Sequence, residues 1–397
     1  MRLDQASAAA PIRRLALITS QAFSISNFRA ELVAAWQRAG IRVFALAPDY
    51  DDETRRAVRA LGAEPVDFRL SRVGLNPLGD LGAVLSLTRI LGRLRVDACF
   101  CYFIKPVIYG NWAGRLAGVG ARFSMIEGGG YVFDTSVPMP PGRRLLKILV
   151  SFLYWTSLRG ARHVFFLNQD DYRFFVPRLA SPESASVIGG IGVDLRKFSQ
   201  APLPEGIPVF LLGGRLLAEK GVREFVAAAR QLRGRARFIL LGGPDLNPGS
   251  ISRAELTRWS AEGLVEWIDH VPDVRPVLRR ASVFVLPSYY REGVPRGIQE
   301  AMAMGRPIIT TDMPGCRDTV EHGRNGLLVP PRDVAALVGA MSILIDDPAR
   351  IEVMGATSRR LAETRFDVLR VNARIMTGMG LPQTPTAISA SEVTDAT

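Results

Sequence analysis

Short apolar runs alternate along the chain with longer stretches whose apolar residues recur every third or fourth position. The first pattern fits buried strands, the second helices that turn one face to a core. In the first half, strands are predicted near Leu15–Thr19, Val43–Ala47, Pro65–Phe68, Ala98–Phe103, Phe123–Ile126 and Val164–Leu167. Helices are predicted between them, including Phe28–Ala39, Leu78–Leu94, Val107–Ala117 and Arg143–Leu158. The pattern then restarts, with strands at Val209–Leu212, Phe238–Leu241, Val265–Ile268, Val283–Leu286, Pro307–Thr310 and Leu327–Val329. Strands separated by helices build parallel sheets covered on both faces, so each half reads as a Rossmann-like, doubly wound α/β unit.

The break between the halves lies in Ser199–Pro208, where three prolines and a glycine interrupt all periodicity. A length of 397 residues agrees, being too great for one ordinary core and suited to two domains of roughly 150 to 200 residues with a cleft between them. Residues 1–200 are read as the N-terminal domain and 201–380 as the C-terminal domain, whose final helix can pack back on the first. Residues 381–397 read as a disordered tail, and Met1–Pro11 as a loose start.

Composition narrows the classes. Hydrophobic residues make up 48% and charged residues 22%, which leaves little room for extensive disorder. Cys99, Cys101 and Cys316 are too few for a disulfide framework and lack metal-ligating neighbours, as expected of a reducing compartment. Cys99 and Cys101 fall in an apolar run that reads as a buried strand. No signal peptide is read, and the longest apolar stretch, Ile148–Leu158, falls short of the roughly 20 residues a membrane span requires. The net charge of +12 is uneven: residues 1–200 hold 26 Lys and Arg against 16 Asp and Glu, the remainder 24 against 22. A basic N-terminal half can meet an anionic membrane, a phosphorylated acceptor or nucleic acid, or can be a solvated surface with no partner. Nucleic acid is disfavoured, because no zinc finger, helix-turn-helix or aromatic-interleaved basic stripe is present.

Ligands of open α/β sheets bind where strands end, so the loops after the strands carry the candidate chemistry. After Val209–Leu212 comes Gly213-Gly214-Arg215, then Lys220-Gly221 and a helix near Val222–Leu232. The glycines permit close backbone approach, and Arg215 and Lys220 can both point at a diphosphate near the helix start. After Val283–Pro287 comes Ser288-Tyr-Tyr-Arg-Glu292-Gly-Val-Pro-Arg-Gly-Ile-Gln-Glu300. Glu292 falls in the loop and Glu300 in the helix starting near Arg296. Gly293, Val294, Arg296 and Gly297 surround a helix N-terminus whose free N–H groups suit an anion. A carboxylate one turn on, at Glu300, can accept hydrogen bonds from the two hydroxyls of a ribose. The plainer alternative is a helix cap with a surface glutamate.

These motifs, with Gly242-Gly243-Pro244, Ala301-Met302-Ala303-x-Gly305-x-Pro307 and Asn325-Gly326-Leu327-Leu328-Val329, resemble the C-terminal domain of family 4 glycosyltransferases over about Val209–Leu344. That resemblance implies the GT-B fold. It also implies that Arg215 and Lys220 bind the donor diphosphate, that Glu300 binds the ribose and that Glu292 faces the transferred sugar or its phosphate. The loop from Val271 to Val274 would hold the base edge. The N-terminal half is similar to a narrower set, bacterial transferases that extend polyprenyl-diphosphate-linked sugars, typically with N-acetylated hexosamines. The residues are Asn76-Pro77-x-x-Asp80, Tyr102-x-x-Lys105-Pro106, Glu127-Gly128-x-Gly130-Tyr131-x-Phe133 and Gly190-Ile191-Gly192-Val193-Asp194. Many family members carry a histidine after the strand that here ends at Ile126. Glu127 stands there instead, and none of His163, His270 and His322 occupies that place.

The expected reaction is a retaining, metal-independent transfer from a UDP-sugar to a lipid-linked saccharide. The leaving diphosphate departs toward Arg215 and Lys220 while an acceptor hydroxyl approaches from the same face. Glu127 is a candidate for orienting that acceptor or acting as a base. No cofactor or metal is expected, and Asp51-Asp52 and Asp346-Asp347 read as helix starts or turns. Arg143, Arg144 and Lys147 precede an apolar-aromatic face of Leu146, Leu149, Val150, Leu153, Tyr154 and Trp155. This profile, with Lys105, fits an anionic membrane surface or a lipid diphosphate, although a core helix would look much the same. The expected location is cytoplasmic, peripheral at the inner face of the plasma membrane. Competing readings are a sugar-nucleotide 2-epimerase of the same fold, a hexosyltransferase with a soluble acceptor and a non-catalytic sugar-nucleotide binder. A nicotinamide dehydrogenase is disfavoured, since no Gly-x-Gly-x-x-Gly follows the first strand of either half.

Overall fold

The computed structural model describes residues 11–71, 77–133, 141–179, 182–245, 247 and 249–382. Asn76, Pro140, residues 1–10 of the expected loose start and residues 383–397 of the expected tail lie outside them.

The N-terminal half builds a seven-stranded sheet. Its strands are β1 (Arg14–Ile18), β2 (Arg42–Ala47), β3 (Glu64–Asp67), β4 (Ala98–Tyr102), β5 (Ala121–Ile126), β6 (His163–Phe166) and β7 (Ala185–Val187). They are ordered 3-2-1-4-5-6-7, all pairs parallel. The C-terminal half builds a six-stranded parallel sheet from β8 (Val209–Gly213), β9 (Arg237–Leu241), β10 (Glu266–Ile268), β11 (Val283–Leu286), β12 (Ile308–Thr311) and β13 (Gly326–Val329). Its order is 10-9-8-11-12-13. Every predicted strand is present. The unforeseen β7 is a three-residue, half-buried edge whose Ala-Ser-Val gives no apolar run to read. In both sheets the order reverses after the first strand, which puts switch points beside β1 and β4 and beside β8 and β11.

The helix predicted at Phe28–Ala39 is present as Ala30–Arg38, and a short helix that was not predicted, Phe23–Phe28, precedes it. Phe23–Phe28 and Ala30–Arg38 are separated by Arg29, which leaves helical geometry at φ −126°, ψ 4° and is 2% exposed.

The halves are tied together by polar groups as well as by apolar packing. Arg306, fully buried, donates to the carbonyls of Ala201 and Pro202 at 2.9 Å each and of Leu278 at 3.2 Å, pinning the linker onto the second sheet. Burial lowers its guanidinium to about 10. The last helix, Val368–Gly378, returns to the first domain: Val193 N–H donates to Phe366 O at 2.7 Å, and Val368 N–H to Val193 O at 3.0 Å. Gly192 permits this approach, since a Cβ there would lie 2.7 Å from Val368 Cα.

Candidate active site

At the second sheet's switch point, the loops after β8 and β11 are laced together. Tyr289 N–H donates to Glu219 O at 3.0 Å, and the Ser288 hydroxyl donates to the same carbonyl at 3.3 Å. Gly221, at φ +76°, lies so close to Pro287 that a side chain would clash with its carbonyl. This lacing brings Lys220 Nζ within 3.0 Å of Glu292 Oε1, both largely shielded from solvent. Ser288 Oγ also bonds that carboxylate, at 3.2 Å. Arg215, in the same loop, is exposed, while Gly214 at φ +134° carries the sharp exit from β8.

Helix Arg296–Ala303 begins beside this pair. Gly297 lets its first turn lie against β8 and β11, because a Cβ would meet the Phe284 ring at 3.2 Å and Gly213 O at 3.7 Å. The first turn of this helix, which has no side-chain cap, thus lies at the glycine end of β8, an arrangement suited to an anion. Glu300 accepts from Arg296 Nε at 2.9 Å, and burial pushes its carboxyl above the ordinary range against the pull of Arg296. Val294 belongs to the core and Gly293 is buried. Val271 and Val274 sit half-buried after β10.

The facing wall comes from the first domain. Arg29 ion-pairs with Glu127, which follows β5, and its guanidinium lies 4.7 Å from the Tyr102 ring centroid. Burial lowers Arg29 to about 10. Phe28, next in the chain, reaches across to Arg296, whose guanidinium carbon is 5.3 Å from its ring centroid.

Both halves match family models: a 4-like glycosyl transferase domain over residues 25–189 and group 1 glycosyl transferases over 207–347. The chain is a family 4 glycosyltransferase. The transferase is 28% identical over 348 residues to the N,N'-diacetylbacillosaminyl-diphospho-undecaprenol alpha-1,3-N-acetylgalactosaminyltransferase of Campylobacter jejuni, with 84% of this chain and 90% of the relative covered. It is 26% identical to the UDP-Gal:alpha-D-GlcNAc-diphosphoundecaprenol alpha-1,3-galactosyltransferase of Escherichia coli, covering 73% and 77% respectively. Anabaena HepE in complex with UDP and glucose superposes with a TM-score of 0.73 at 18% identity, over 93% of this chain and 100% of that one. That likeness shows the shared GT-B fold.

The transferase's packing gives several of the residues expected at the acceptor or membrane side partners within the first domain. Lys105 does not stand free: its Nζ lies 3.1 Å from Asp80 Oδ1, and the Tyr109 hydroxyl donates to Asp80 Oδ2 at 2.8 Å. Two sequence motifs thus meet, but in a buried network. Lys105 follows Phe103, whose φ of +70° and ψ of +155° mark a strained turn at the β4 switch point. Arg143 is buried, and Lys147 leans over the Phe174 ring with its Nζ 5.5 Å from the centroid. Of the apolar face expected on helix Pro141–Leu158, Val150 and Tyr154 are buried. Tyr154 packs 5.6 Å from Phe175, ring centroid to ring centroid. The outward residues are Leu145, Ile148, Leu149, Phe152 and Trp155, with Ile148 67% exposed. The helix is apolar nearly all round, so its sequence did not reveal which side the core would take.

The chain also contains an Asp-x-Asp triplet, Asp49-Tyr50-Asp51, whose carboxylates serve local structure. Asp49 accepts from Ala22 N–H at 2.7 Å, and Asp51 caps helix Asp52–Ala60 through Thr54 N–H at 2.8 Å. Asn325, within a family motif, is architectural as well: its side chain holds Thr319 O and Glu321 N–H where β13 begins.

Sequence reasoning missed Arg29, Asn168, Asp171, Arg291 and Gln299. Gln299 is fully buried and joins the domains, accepting from Gly192 N–H at 3.0 Å and donating to Val294 O at 3.0 Å. The only local sign was an asparagine opening a helix after β6, which reads as a simple cap.

Proposed function

We propose that the transferase moves a sugar, an N-acetylhexosamine, from a UDP-sugar to a polyprenyl-diphosphate-linked saccharide, keeping the donor's anomeric configuration. The observation that carries this is the Lys220–Glu292 pair beside the N-terminus of helix Arg296–Ala303, with Arg215 exposed nearby. As the sugar–phosphate bond breaks, negative charge builds on the diphosphate. Lys220, Arg215 and the helix N–H groups meet it with fixed positive charge and dipole, so no metal ion is required. Glu292 orients Lys220 and faces the sugar. Glu300 takes the ribose hydroxyls, and backbone groups between Val271 and Val274 take the base edge. Glu127, held by Arg29, offers an acceptor oxygen to the incoming hydroxyl.

The lipid-linked acceptor is supported by the two undecaprenol-linked activities of the relatives. The outward apolar residues of helix Pro141–Leu158, together with Leu78, Leu81 and Leu85 on helix Pro77–Leu94, support contact with a membrane. Arg144 and the excess of basic residues in this half favour an anionic bilayer, at the inner face of the plasma membrane. No helix among the described residues is long and apolar enough to cross a membrane.

A thermal-shift panel tests the donor site. UDP and UDP-sugars raise the melting midpoint by mass action, GDP does so less, and Arg215→Ala reduces the shift. EDTA leaves turnover unchanged. A midpoint raised equally by GDP and UDP would remove the base assignment.

A further inference from the structure

The loop that carries Glu292 is gripped from the other domain. Asn168 and Asp171 open helix Gln169–Leu179 of the first domain, and both are buried. Asn168 Oδ1 accepts from Asp171 N–H at 2.7 Å, capping the helix. Its Nδ2 faces the second domain and donates to Gly293 O at 2.7 Å, with Glu292 O at 3.3 Å and Asp171 Oδ2 at 2.9 Å. Asp171 Oδ1 accepts from Arg291 Nε at 2.7 Å, and the Arg291 guanidinium lies over the Phe174 ring at 5.1 Å. Three consecutive residues, 291 to 293, are therefore held by one helix end across the cleft.

Glycines make this seating flush. A Cβ on Gly293 would lie 2.9 Å from Glu127 O and 2.8 Å from Leu167, and one on Gly128 would lie 2.8 Å from Gly293 N. The loops bearing Glu127 and Glu292 thus touch backbone to backbone. Opening the cleft has to break the Asp171–Arg291 pair and withdraw Asn168. Closing it sets both carboxylates at once.

We propose that Asn168, Asp171 and Arg291 form an interdomain latch whose closure positions Glu292 beside Lys220 for the transfer step. This rests on the reading of Glu292 as a donor-facing group. The three are positioning residues, since they act through the loop and touch no reacting atom. Displacing a reacting group by about 1 Å costs on the order of a hundredfold in rate. A latch defect therefore lowers kcat and leaves the KM for donor nearly unchanged, because Arg215, Glu300 and the helix N-terminus still bind it.

The test uses the full-length protein and four variants: Asp171→Asn, Asn168→Ala, Arg291→Gln and Arg291→Lys. With UDP-N-acetylhexosamine as donor, Asp171→Asn and Arg291→Gln are expected to lower kcat by roughly 30- to 100-fold with KM within about twofold. Arg291→Lys, which keeps the charge, recovers part of the loss, and the double variant Asp171→Asn, Arg291→Gln is no worse than either single one. Amide hydrogen exchange without ligand supplies a second readout: residues 289–294 exchange about tenfold faster in Asp171→Asn than in the parent. Arg223→Gln, which breaks an exposed pair with Glu255, leaves that segment unchanged. A kcat within twofold of the parent, or unaltered exchange at 289–294, overturns the latch. So does exchange that rises uniformly over the chain, since that marks general destabilisation. If Lys220→Ala retains full turnover, the donor-site reading fails instead, and the exchange measurement still decides the latch.

Discussion

The two walls of the cleft are built on different principles. On the second domain's side, the chemistry comes from short stretches: Gly214 to Lys220 and Ser288 to Glu300 bring an ion pair, a helix N-terminus and a shielded carboxylate together through two loops. On the first domain's side, the charged residues find partners far along the chain. Arg29 meets Glu127, Lys105 meets Asp80, and Arg143 is buried. A nucleoside diphosphate is one fixed shape that one local motif can grip. An acceptor wall is held by long-range pairs, so its surface can vary while its frame stays rigid.

Substitutions on the two walls should separate accordingly. The largest effect is expected for Lys220→Ala and Glu292→Gln, each lowering kcat/KM by about a hundred- to a thousandfold, as for removal of one stabilising group at a developing charge. Lys105→Ala, by contrast, should cost mainly stability, visible in the melting midpoint, because it leaves Asp80 buried without its cation. If Lys105→Ala abolished turnover at unchanged stability, the contrast between the walls would fail.

Next is Glu300→Ala, which should weaken UDP binding roughly 10- to 100-fold, the worth of hydrogen bonds to a charged group. Burial raises this carboxyl. The ionised form accepts the ribose hydroxyls, so affinity is lost as pH falls through the raised value, at a higher pH than for an ordinary glutamate. Calorimetric titration against pH should show this dependence in the parent and none in Glu300→Gln.

Glu127→Gln should lower kcat by about tenfold with UDP affinity unchanged, the mark of an acceptor-side group. The smallest effect is expected at the outward helix face. Ile148→Asp with Phe152→Asp should reduce sedimentation with anionic vesicles about tenfold and leave transfer to a detergent-solubilised acceptor intact.

The same contrast explains what could be read beforehand. Strands and donor motifs were legible because apolar runs and glycine loops are local signals, as with β8 and Gly214. Arg29 was not, since only the fold brings it to Glu127 and the Tyr102 ring. Asn168 and Asp171 were not singled out, because their reach to Gly293 and Arg291 depends on how the domains close. Helix Pro141–Leu158 was recognised as apolar, but Tyr154 of the expected face lies in the core and Ile148, which was assigned to no face, lies outside, because an almost uniformly apolar helix carries no directional signal.

The most direct measurement follows radiolabelled UDP-N-acetylhexosamine in the presence of polyprenyl-diphosphate-linked saccharide, with the product's anomeric configuration read by NMR. The expected result is one added sugar in the α configuration of the donor, with an equal amount of UDP released and both slowed about a hundred- to a thousandfold in Lys220→Ala. Donor conversion to its 2-epimer without lipid-linked product, or a β-linked product, would contradict a retaining transfer built on the Lys220–Glu292 site.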